Sequence, residues 1–285
     1  MAPRGWWSVL RATADGFSSA RGLSVAGGVG FFALLALFPA LTTLVAVYGL
    51  FSDPLTITGH LNMLARFLPG DVVEIIRTQL ERLTSTPQST LSVAGIAAAL
   101  VALYSATGGI KALIESLNLA WGRSETRGVI RLNLIALTLT LGAIALVIAI
   151  MTATVILPPA MQLLHVPPPM QQLVSLARWP AMFAVLTLAI ALLYRWAPAA
   201  PPARGFRVMP GALFAAILLV AASVGFSWYV ANLASYSETY GSLGAVVVLL
   251  MWLWIGAIVV ILGATFNAQL QRYLDHRASI PVTSA

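Results

Sequence analysis

The sequence predicts an all-α polytopic membrane protein with six transmembrane helices and two amphipathic interfacial helices. Its most informative stretch runs from Tyr240 to Gln271 and contains no charged residue. A hydrocarbon core about 30 Å thick needs roughly 20 apolar residues at a rise of about 1.5 Å each, so this stretch is long enough to span a bilayer. The composition agrees, because 59% of the 285 residues are hydrophobic and only 9% are charged, whereas a soluble protein carries about 25% charged residues.

Six apolar segments with few or no charges give the six predicted crossings. In chain order they cover about residues 23–51, 91–107, 132–157, 173–196, 209–233 and 240–271. Pro158 and Pro159 close the third segment, and Pro210 suits the first turn of the fifth helix. We therefore predict an N-terminal cytoplasmic segment at residues 1–22, a single six-helix transmembrane domain at residues 23–271, and a C-terminal cytoplasmic tail at residues 272–285.

Two further helices are predicted to lie along the membrane surface because their apolar residues share one face. The first covers Asp71 to Leu83, and the second covers Ile110 to Trp121. In the second helix, Lys111, Glu115 and Asn118 share the face opposite the apolar stripe. Two glycines precede this helix, at positions 108 and 109, and they are expected to form a hinge after the second crossing.

The basic residues decide the predicted orientation. When the N-terminus is placed in the cytoplasm and the crossings alternate, 12 of the 16 Lys and Arg residues fall in inner segments. Short cytoplasmic loops are enriched in Lys and Arg, so both termini are predicted to be cytoplasmic. The basic charge balance then follows from topology, and we expect the lipid bilayer, with no nucleic acid, to be the partner. Trp6 and Trp7 suggest an interfacial anchor or, alternatively, a frayed tail.

The residues required for familiar enzymatic sites are missing from the sequence. The three histidines lie in separate extramembrane segments without zinc-ligand spacing, and cysteine is absent. No metalloprotease, phosphate-loop or nucleophile-elbow motif is present. We expect no catalytic residue, metal or cofactor, and we expect the protein not to be an enzyme.

Uncharged polar residues near the ends of the last two predicted helices are the candidates for a solute pathway. We predict that Asn232, Tyr236 and Tyr240 form its outer mouth and that Thr265 and Asn267 lie toward its cytoplasmic end. The alternative is that each of these groups simply makes a hydrogen bond between helices.

The first predicted crossing contains backbone irregularities that bear on the same pathway. Pro39 frees carbonyl groups one turn earlier, so it either lines a cavity with the broken helix or merely kinks it. On the same helix, Gly27, Gly28 and Gly30 would permit close approach of a neighbouring helix.

Three blocks of sequence resemble the YihY/BrkB family of membrane proteins, once labelled ribonuclease BN, from about Trp7 to Tyr273. They are AGGVGFFALLALFPAL at residues 26–41, YSATGGIKALIESLNLAWGRSETR at residues 104–127, and the motifs between residues 194 and 270, which include PGALFA and YGSLGA. The resemblance implies a six-helix protein of the bacterial cytoplasmic membrane. Thr265 stands where the family usually has a glutamate, which removes the one membrane carboxylate expected to couple transport to protons.

Three functional classes remain open at this stage. A transporter or exporter of small organic solutes leads, on the strength of the multiple crossings and the broken first helix. A translocator of lipids or lipid-linked glycans is the alternative supported by Arg123, Arg127 and Arg131, whose side chains could contact anionic headgroups. Topology alone also explains those arginines. A non-transporting scaffold of the cell envelope is the third class.

Overall fold

The computed structural model describes residues 3–51, 88–151, 166–199, 208–232 and 243–279, with residues 153, 154, 157 and 161 between the second and third ranges. These ranges contain seven helices: α1 (Pro3–Ser19), α2 (Gly22–Phe51), α3 (Gln88–Ala120), α4 (Val129–Met151), α5 (Pro168–Trp196), α6 (Met209–Asn232) and α7 (Gly244–Ser279). No strand occurs in these ranges. The predicted all-α class is confirmed.

Four of the described helices are long and apolar enough to cross a membrane, judged by length and composition. The qualifying stretches are Val129–Leu146, Pro168–Trp196, Met209–Asn232 and Gly244–His276. A fifth crossing results if Trp6–Ser19 and Gly22–Ala36, which are bent by 63°, are counted as one broken span. These four stretches correspond to the third to sixth predicted crossings, whereas the total of six remains a prediction.

Large apolar side chains on these helices face outward. Leu176, Trp179, Val224 and Trp228 are each at least 60% exposed. A soluble protein would not expose such apolar surfaces on several long helices, because each would cost free energy in water. These apolar faces are therefore expected to contact lipid.

Helix α3 corrects the predicted hinge. The predicted second crossing and the predicted surface helix join into one continuous helix from Gln88 to Ala120, because tertiary packing overrides the low helix propensity of two glycines. A Cβ added at Gly109 would lie 3.3 Å from Cβ of Phe32, and one at Gly108 would lie 2.9 Å from its ring. These glycines therefore admit the Phe32 side chain of α2 instead of bending α3.

The predicted polar face of the second surface helix is also partly wrong. Glu115 is exposed and Lys111 is half-buried, but Asn118 is buried beside Leu117. The apolar stripe itself is confirmed, since Leu113, Ile114 and Leu117 are all buried. Asn118 is turned inward because its amide has partners in the following loop and at the end of α5, which are described below.

Helix α2 shows no interruption at Pro39, since the helix runs from Gly22 to Phe51. The predicted close approach at Gly27 and Gly28 is not observed: no atom of another described helix lies within 4 Å of a Cβ added at either position. The predicted surface helix from Asp71 to Leu83 lies outside the described residues.

The chain divides into two compact units. One unit comprises Met1–Gly27, Ile110–Phe226 and Trp254–Ala285, and the other comprises Gly28–Gly109 and Ser227–Leu253. The first unit has an aromatic core in which Val9 of α1 is buried with Phe266 and Leu270 of α7, and Phe214 and Tyr273 pack against them. The rings of Phe214 and Phe266 stack at 4.5 Å between centroids.

Candidate functional site

Helices α6 and α7 touch through glycines in the first unit. A Cβ added at Gly211 would lie 2.3 Å from Cβ of Asn267 and 2.7 Å from the carbonyl oxygen of Gly263. A Cβ added at Gly263 would lie 2.5 Å from Cβ of Ala215. Real Cβ atoms do not approach other atoms so closely, so glycine is required at both positions. Small residues at a helix contact allow two backbones to pack together within a membrane.

The side chain of Asn267 caps the N-terminus of α6. The backbone N–H of Gly211, in the first turn of α6, donates a hydrogen bond of 3.1 Å to Oδ1 of Asn267. The first N–H groups of a helix have no partner within the helix, so an acceptor on another helix satisfies one of them. Asn267 is only 1% exposed, and its Nδ2 has no hydrogen-bond partner among the described residues. This unsatisfied amide is unusual in an apolar helix.

Tyr194 of α5 packs against α7 beside Gly263. Its side chain is fully buried, and its hydroxyl donates a hydrogen bond of 2.5 Å to the carbonyl oxygen of Val260. A Cβ at Gly263 would lie 2.6 Å from that hydroxyl, so Gly263 also makes room for Tyr194. The sequence analysis did not single out Tyr194. The available signal was a tyrosine near the end of an apolar helix, which needs a polar partner when buried.

A pocket of about 280 Å³ lies against the other side of α7. The lining residues come from the ends of α1 and α3 and from α7, and they are Gly16, Ser19, Ala20, Leu119, Ala120, Thr265, Gln269 and Arg272. No acidic residue is among them. Arg272 is exposed, and it provides the charge in this lining.

Two of the polar lining residues use their hydroxyls within their own helices. Thr265 donates to the carbonyl oxygen of Ile261 at 2.9 Å, and Ser19 donates to that of Gly16 at 3.0 Å. A Cβ added at Gly16 would lie 3.1 Å from Cγ2 of Thr265 and 3.0 Å from Nε2 of Gln269. The methyl group of Thr265 thus faces α1, and Gln269 and Arg272 remain as the groups that can bind a solute.

A glycine forms the C-terminal cap of α3 beside this pocket. Gly122 has a φ of 65°, a conformation that glycine adopts without a steric penalty. The N–H of Gly122 donates to the backbone carbonyl oxygen of Leu119 at 2.9 Å. The N–H of Arg123 donates to the backbone carbonyl oxygen of Asn118 at 2.8 Å. This pair of bonds is a Schellman motif. A Cβ added at Gly122 would lie 3.0 Å from Nη2 of Arg272, so the guanidinium lies close to the end of α3.

A polar cluster of Asn118, Glu125 and Arg127 ties the loop after α3 to the end of α5. The guanidinium of Arg127 donates to both carboxylate oxygens of Glu125, from Nε at 2.7 Å and from Nη2 at 2.6 Å. Nη2 also donates to the carbonyl oxygen of Ala197 at 2.7 Å. Asn118 donates to Glu125 at 2.9 Å and accepts from the N–H of Ala199 at 2.7 Å.

The same cluster sets the ionisation of Glu125. Hydrogen bonds from the Arg127 guanidinium lower the pKa of the Glu125 carboxyl from 4.5 to about 2, with further contributions from the Arg127 backbone N–H and from Asn118. Each of these donors favours the charged carboxylate. Glu125 is therefore ionised at neutral pH.

The structure separates the three predicted headgroup arginines. The side chain of Arg127 is only 6% exposed, and its guanidinium is hydrogen-bonded to Glu125 and Ala197. The prediction that Arg127 contacts lipid headgroups is therefore wrong. Arg123 and Arg131 are exposed, and their contact with headgroups stays a prediction.

The predicted pathway residues have different surroundings. Thr265 lines the pocket, and Asn267 caps α6 instead. Asn232 is exposed and donates to the carbonyl oxygen of Trp228 at 2.8 Å. Pro39 lies within α2, and Tyr236 and Tyr240 lie outside the described residues. Within the described ranges, no three His, Asp or Glu side chains are grouped so that they could hold a metal ion.

The apolar helices with outward-facing side chains define an integral membrane protein. The chain belongs to the family described as Virulence factor BrkB, whose model matches residues 13–284. It is 30% identical over 273 residues to a protein of Bacillus subtilis named putative ribonuclease-like protein YfkH, covering 93% of this chain and 96% of that one. It is 26% identical over 276 residues to UPF0761 membrane protein azo3165 of Azoarcus, covering 95% of this chain and 65% of that one. No solved structure matches the chain.

Proposed function

We propose that this protein transports small organic solutes across the bacterial cytoplasmic membrane. The observation that supports this proposal is the pocket beside α7, which combines Gln269 and Arg272 with small and apolar residues from the ends of α1 and α3. Solute sites are typically concave and largely apolar, with a few polar groups that fix orientation. The volume of about 280 Å³ equals roughly nine water molecules at ~30 Å³ each, which suits a small solute.

The charge of the lining restricts the solute class. Arg272 contributes a positive charge, and the lining contains no Asp or Glu to balance it. A guanidinium favours carboxylate and phosphate groups, with which it can form two parallel hydrogen bonds. We therefore propose an anionic, zwitterionic or neutral solute. Because Thr265 is not ionisable, proton exchange through a carboxylate at that position is not part of the proposal.

We also propose that both termini are cytoplasmic, so that the pocket belongs to the cytoplasmic half of the protein. The distribution of Lys and Arg supports this orientation. Because the chain lacks cysteine, single cysteines report topology cleanly. An impermeant maleimide added to intact cells should label Thr58→Cys and Thr86→Cys but not Ser124→Cys, and the reverse pattern would contradict the orientation.

The transport proposal is tested with purified protein in liposomes. Pools of labelled anionic, zwitterionic and neutral organic solutes are assayed for uptake, with fluorescent phospholipids in parallel vesicles. Arg272→Gln should reduce uptake of an anionic solute about tenfold or more, the loss expected when a hydrogen bond to a charged group, worth about 1.5–3 kcal/mol, is removed. Arg131→Gln, an exposed arginine outside the pocket, is the matched control and should leave uptake unchanged.

Each outcome of this experiment separates the functional classes. Solute uptake that depends on Arg272 supports the proposal. Movement of phospholipid without solute uptake would instead favour a lipid translocator. If both arginine variants lower uptake equally, the pocket is not the transport site. If neither solute nor phospholipid moves, a scaffold becomes the better explanation.

A further inference from the structure

Helix α1 presents three different faces. One face is buried against α7 and contains Val9 and Thr13. A second face is apolar yet exposed, with Trp7 at 71% and Leu10 at 41% exposure. The remaining face carries the exposed charges Arg11 and Asp15. A helix that only packed on the protein would not need the second face, because exposed tryptophan and leucine are unfavourable in water.

The contacts of α1 show that it crosses α7 at a steep angle. Trp6 stacks on Phe266 at 6.4 Å between ring centroids, and Gly16 lies against Thr265 and Gln269. The contacts thus extend over about 15 Å of α1, from Trp6 to Gly16, but only about 8 Å of α7, from Thr265 to Leu270, at a rise of about 1.5 Å per residue. Helix α7 contains a membrane-spanning stretch, so a helix that crosses it steeply lies closer to the membrane plane than to its normal.

The junction with α2 agrees with this orientation. The axis of Trp6–Ser19 is bent by 63° from that of Gly22–Ala36. Arg21 at the corner has a φ of 51°, and a Cβ added at Gly22 would lie 2.2 Å from the Phe17 ring. The turn is therefore defined by specific residues, and α1 is not a continuation of α2.

We propose that α1 lies in the headgroup layer and binds the surface of an anionic bilayer. Trp7 and Leu10 insert at the boundary between headgroups and acyl chains, where the amphipathic ring of tryptophan is favoured. Arg11 lies one turn after Trp7 and directly follows Leu10, so its charge complements anionic headgroups at the edge of this face. Asp15 lies one turn further on the charged face and is directed away from the lipid.

Lipid suits this face better than a second copy of the chain does. The exposed apolar face of α1 carries large side chains of the same kind as those that face outward on the spanning helices, and it is bordered by Arg11, whose charge anionic headgroups would pair. A protein partner would need an interface of about 1,200 Å² or more in total, whereas one short apolar face supplies only part of that. The two occupants make different predictions in the following experiment.

Fluorescent labels on single cysteines test the position of α1 in the complete protein. Leu10→Cys and Ala14→Cys place labels on the apolar face, and Asp15→Cys is the matched site on the charged face. The protein is reconstituted in phosphatidylcholine brominated near the top of its acyl chains, with or without phosphatidylglycerol. We expect several-fold stronger quenching at Leu10→Cys and Ala14→Cys than at Asp15→Cys, and an increase when phosphatidylglycerol is present.

Removing the charge tests the anionic preference separately. In Arg11→Gln, quenching at Leu10→Cys should lose its dependence on phosphatidylglycerol, since each arginine contributes about a fivefold preference near an anionic surface. Equal, weak quenching at all three sites would overturn the lipid contact. Efficient disulfide cross-linking through Leu10→Cys without quenching would assign the face to a second copy. Quenching that is insensitive to phosphatidylglycerol in the unchanged chain would overturn the anionic preference.

Discussion

The two sides of α7 are packed in opposite ways. On one side, Gly263 and Asn267 meet Gly211 so closely that no Cβ fits. On the other side, Thr265 and Gln269 face a pocket of about 280 Å³ toward Gly16. Residues only two positions apart therefore belong to a dense helix contact and to a cavity. In the proposed function, the dense side of α7 is the fixed frame and the pocket side binds the solute.

The largest expected effect comes from adding a methyl group to the dense side. Gly211→Ala should destabilise the protein by about 3 kcal/mol or more, because backbone and Cβ atoms of α7 must move. Gly27→Ala is the control, since a Cβ there meets nothing within 4 Å among the described residues. It should be neutral or stabilising by up to about 1 kcal/mol through helix propensity. Thermal unfolding in detergent measures both, and equal stability of the two variants would break the comparison.

The next largest effect concerns the polar cluster of Asn118, Glu125 and Arg127, which ties the loop after α3 to the end of α5. Glu125→Gln leaves the Arg127 guanidinium without its carboxylate and should cost about 1–2 kcal/mol after allowance for solvent screening. Because folding lowers the pKa of Glu125 to about 2, its contribution is present above pH 4.5 and is lost as the pH falls toward 2.

Stability measured from pH 6 down to pH 2 checks this assignment. The unchanged protein should lose more stability over that range than Glu125→Gln does, by about the cost measured at pH 6. Glu115→Gln changes an exposed carboxyl in the same unit and serves as the control. If Glu125→Gln and the unchanged protein respond identically to acid, the cluster does not stabilise the loop.

A smaller effect, of opposite sign, is expected at the corner between α1 and α2. Arg21 adopts a positive φ, which costs a residue other than glycine about 1 kcal/mol. Arg21→Gly should therefore raise stability by about that amount, whereas Arg21→Ala should not. Thermal unfolding of the two variants distinguishes relief of backbone strain from loss of the charge, and a destabilised Arg21→Gly would contradict the assigned conformation.

Several elements of the fold could be predicted because bilayer thickness constrains helix length directly. The charge-free stretch ending at Gln271 favoured a spanning helix, since a helix satisfies its backbone hydrogen bonds within one segment in lipid, and α7 is long and apolar enough to cross a membrane. Glu115 was also placed correctly on an exposed face. Asn118 could not be placed, because its burial depends on partners at Glu125 and Ala199 that only the tertiary fold brings near.

The candidate site was less predictable for the same reason. Thr265 and Asn267 were both grouped as pathway residues by their polarity, yet they point to different sides of α7. The role of Asn267 depends on the start of α6, which is 56 residues away in the chain. Gly16 and Arg272 line the pocket only because α1 packs across α7. No local pattern in the sequence predicts that contact between the two helices.

The central claim, that the pocket beside α7 binds the transported solute, is tested most directly by filling the pocket. Gly16→Leu extends a side chain toward the pocket and requires the ends of the Thr265 and Gln269 side chains, 3.0–3.1 Å from its Cβ, to shift slightly, whereas Gly27→Leu adds the same bulk in open space. Uptake of an anionic or zwitterionic solute is measured in liposomes, with thermal unfolding as the check on folding. The account predicts that Gly16→Leu lowers uptake about tenfold or more while the protein stays folded, and that Gly27→Leu transports normally. Normal uptake by a folded Gly16→Leu protein would contradict it.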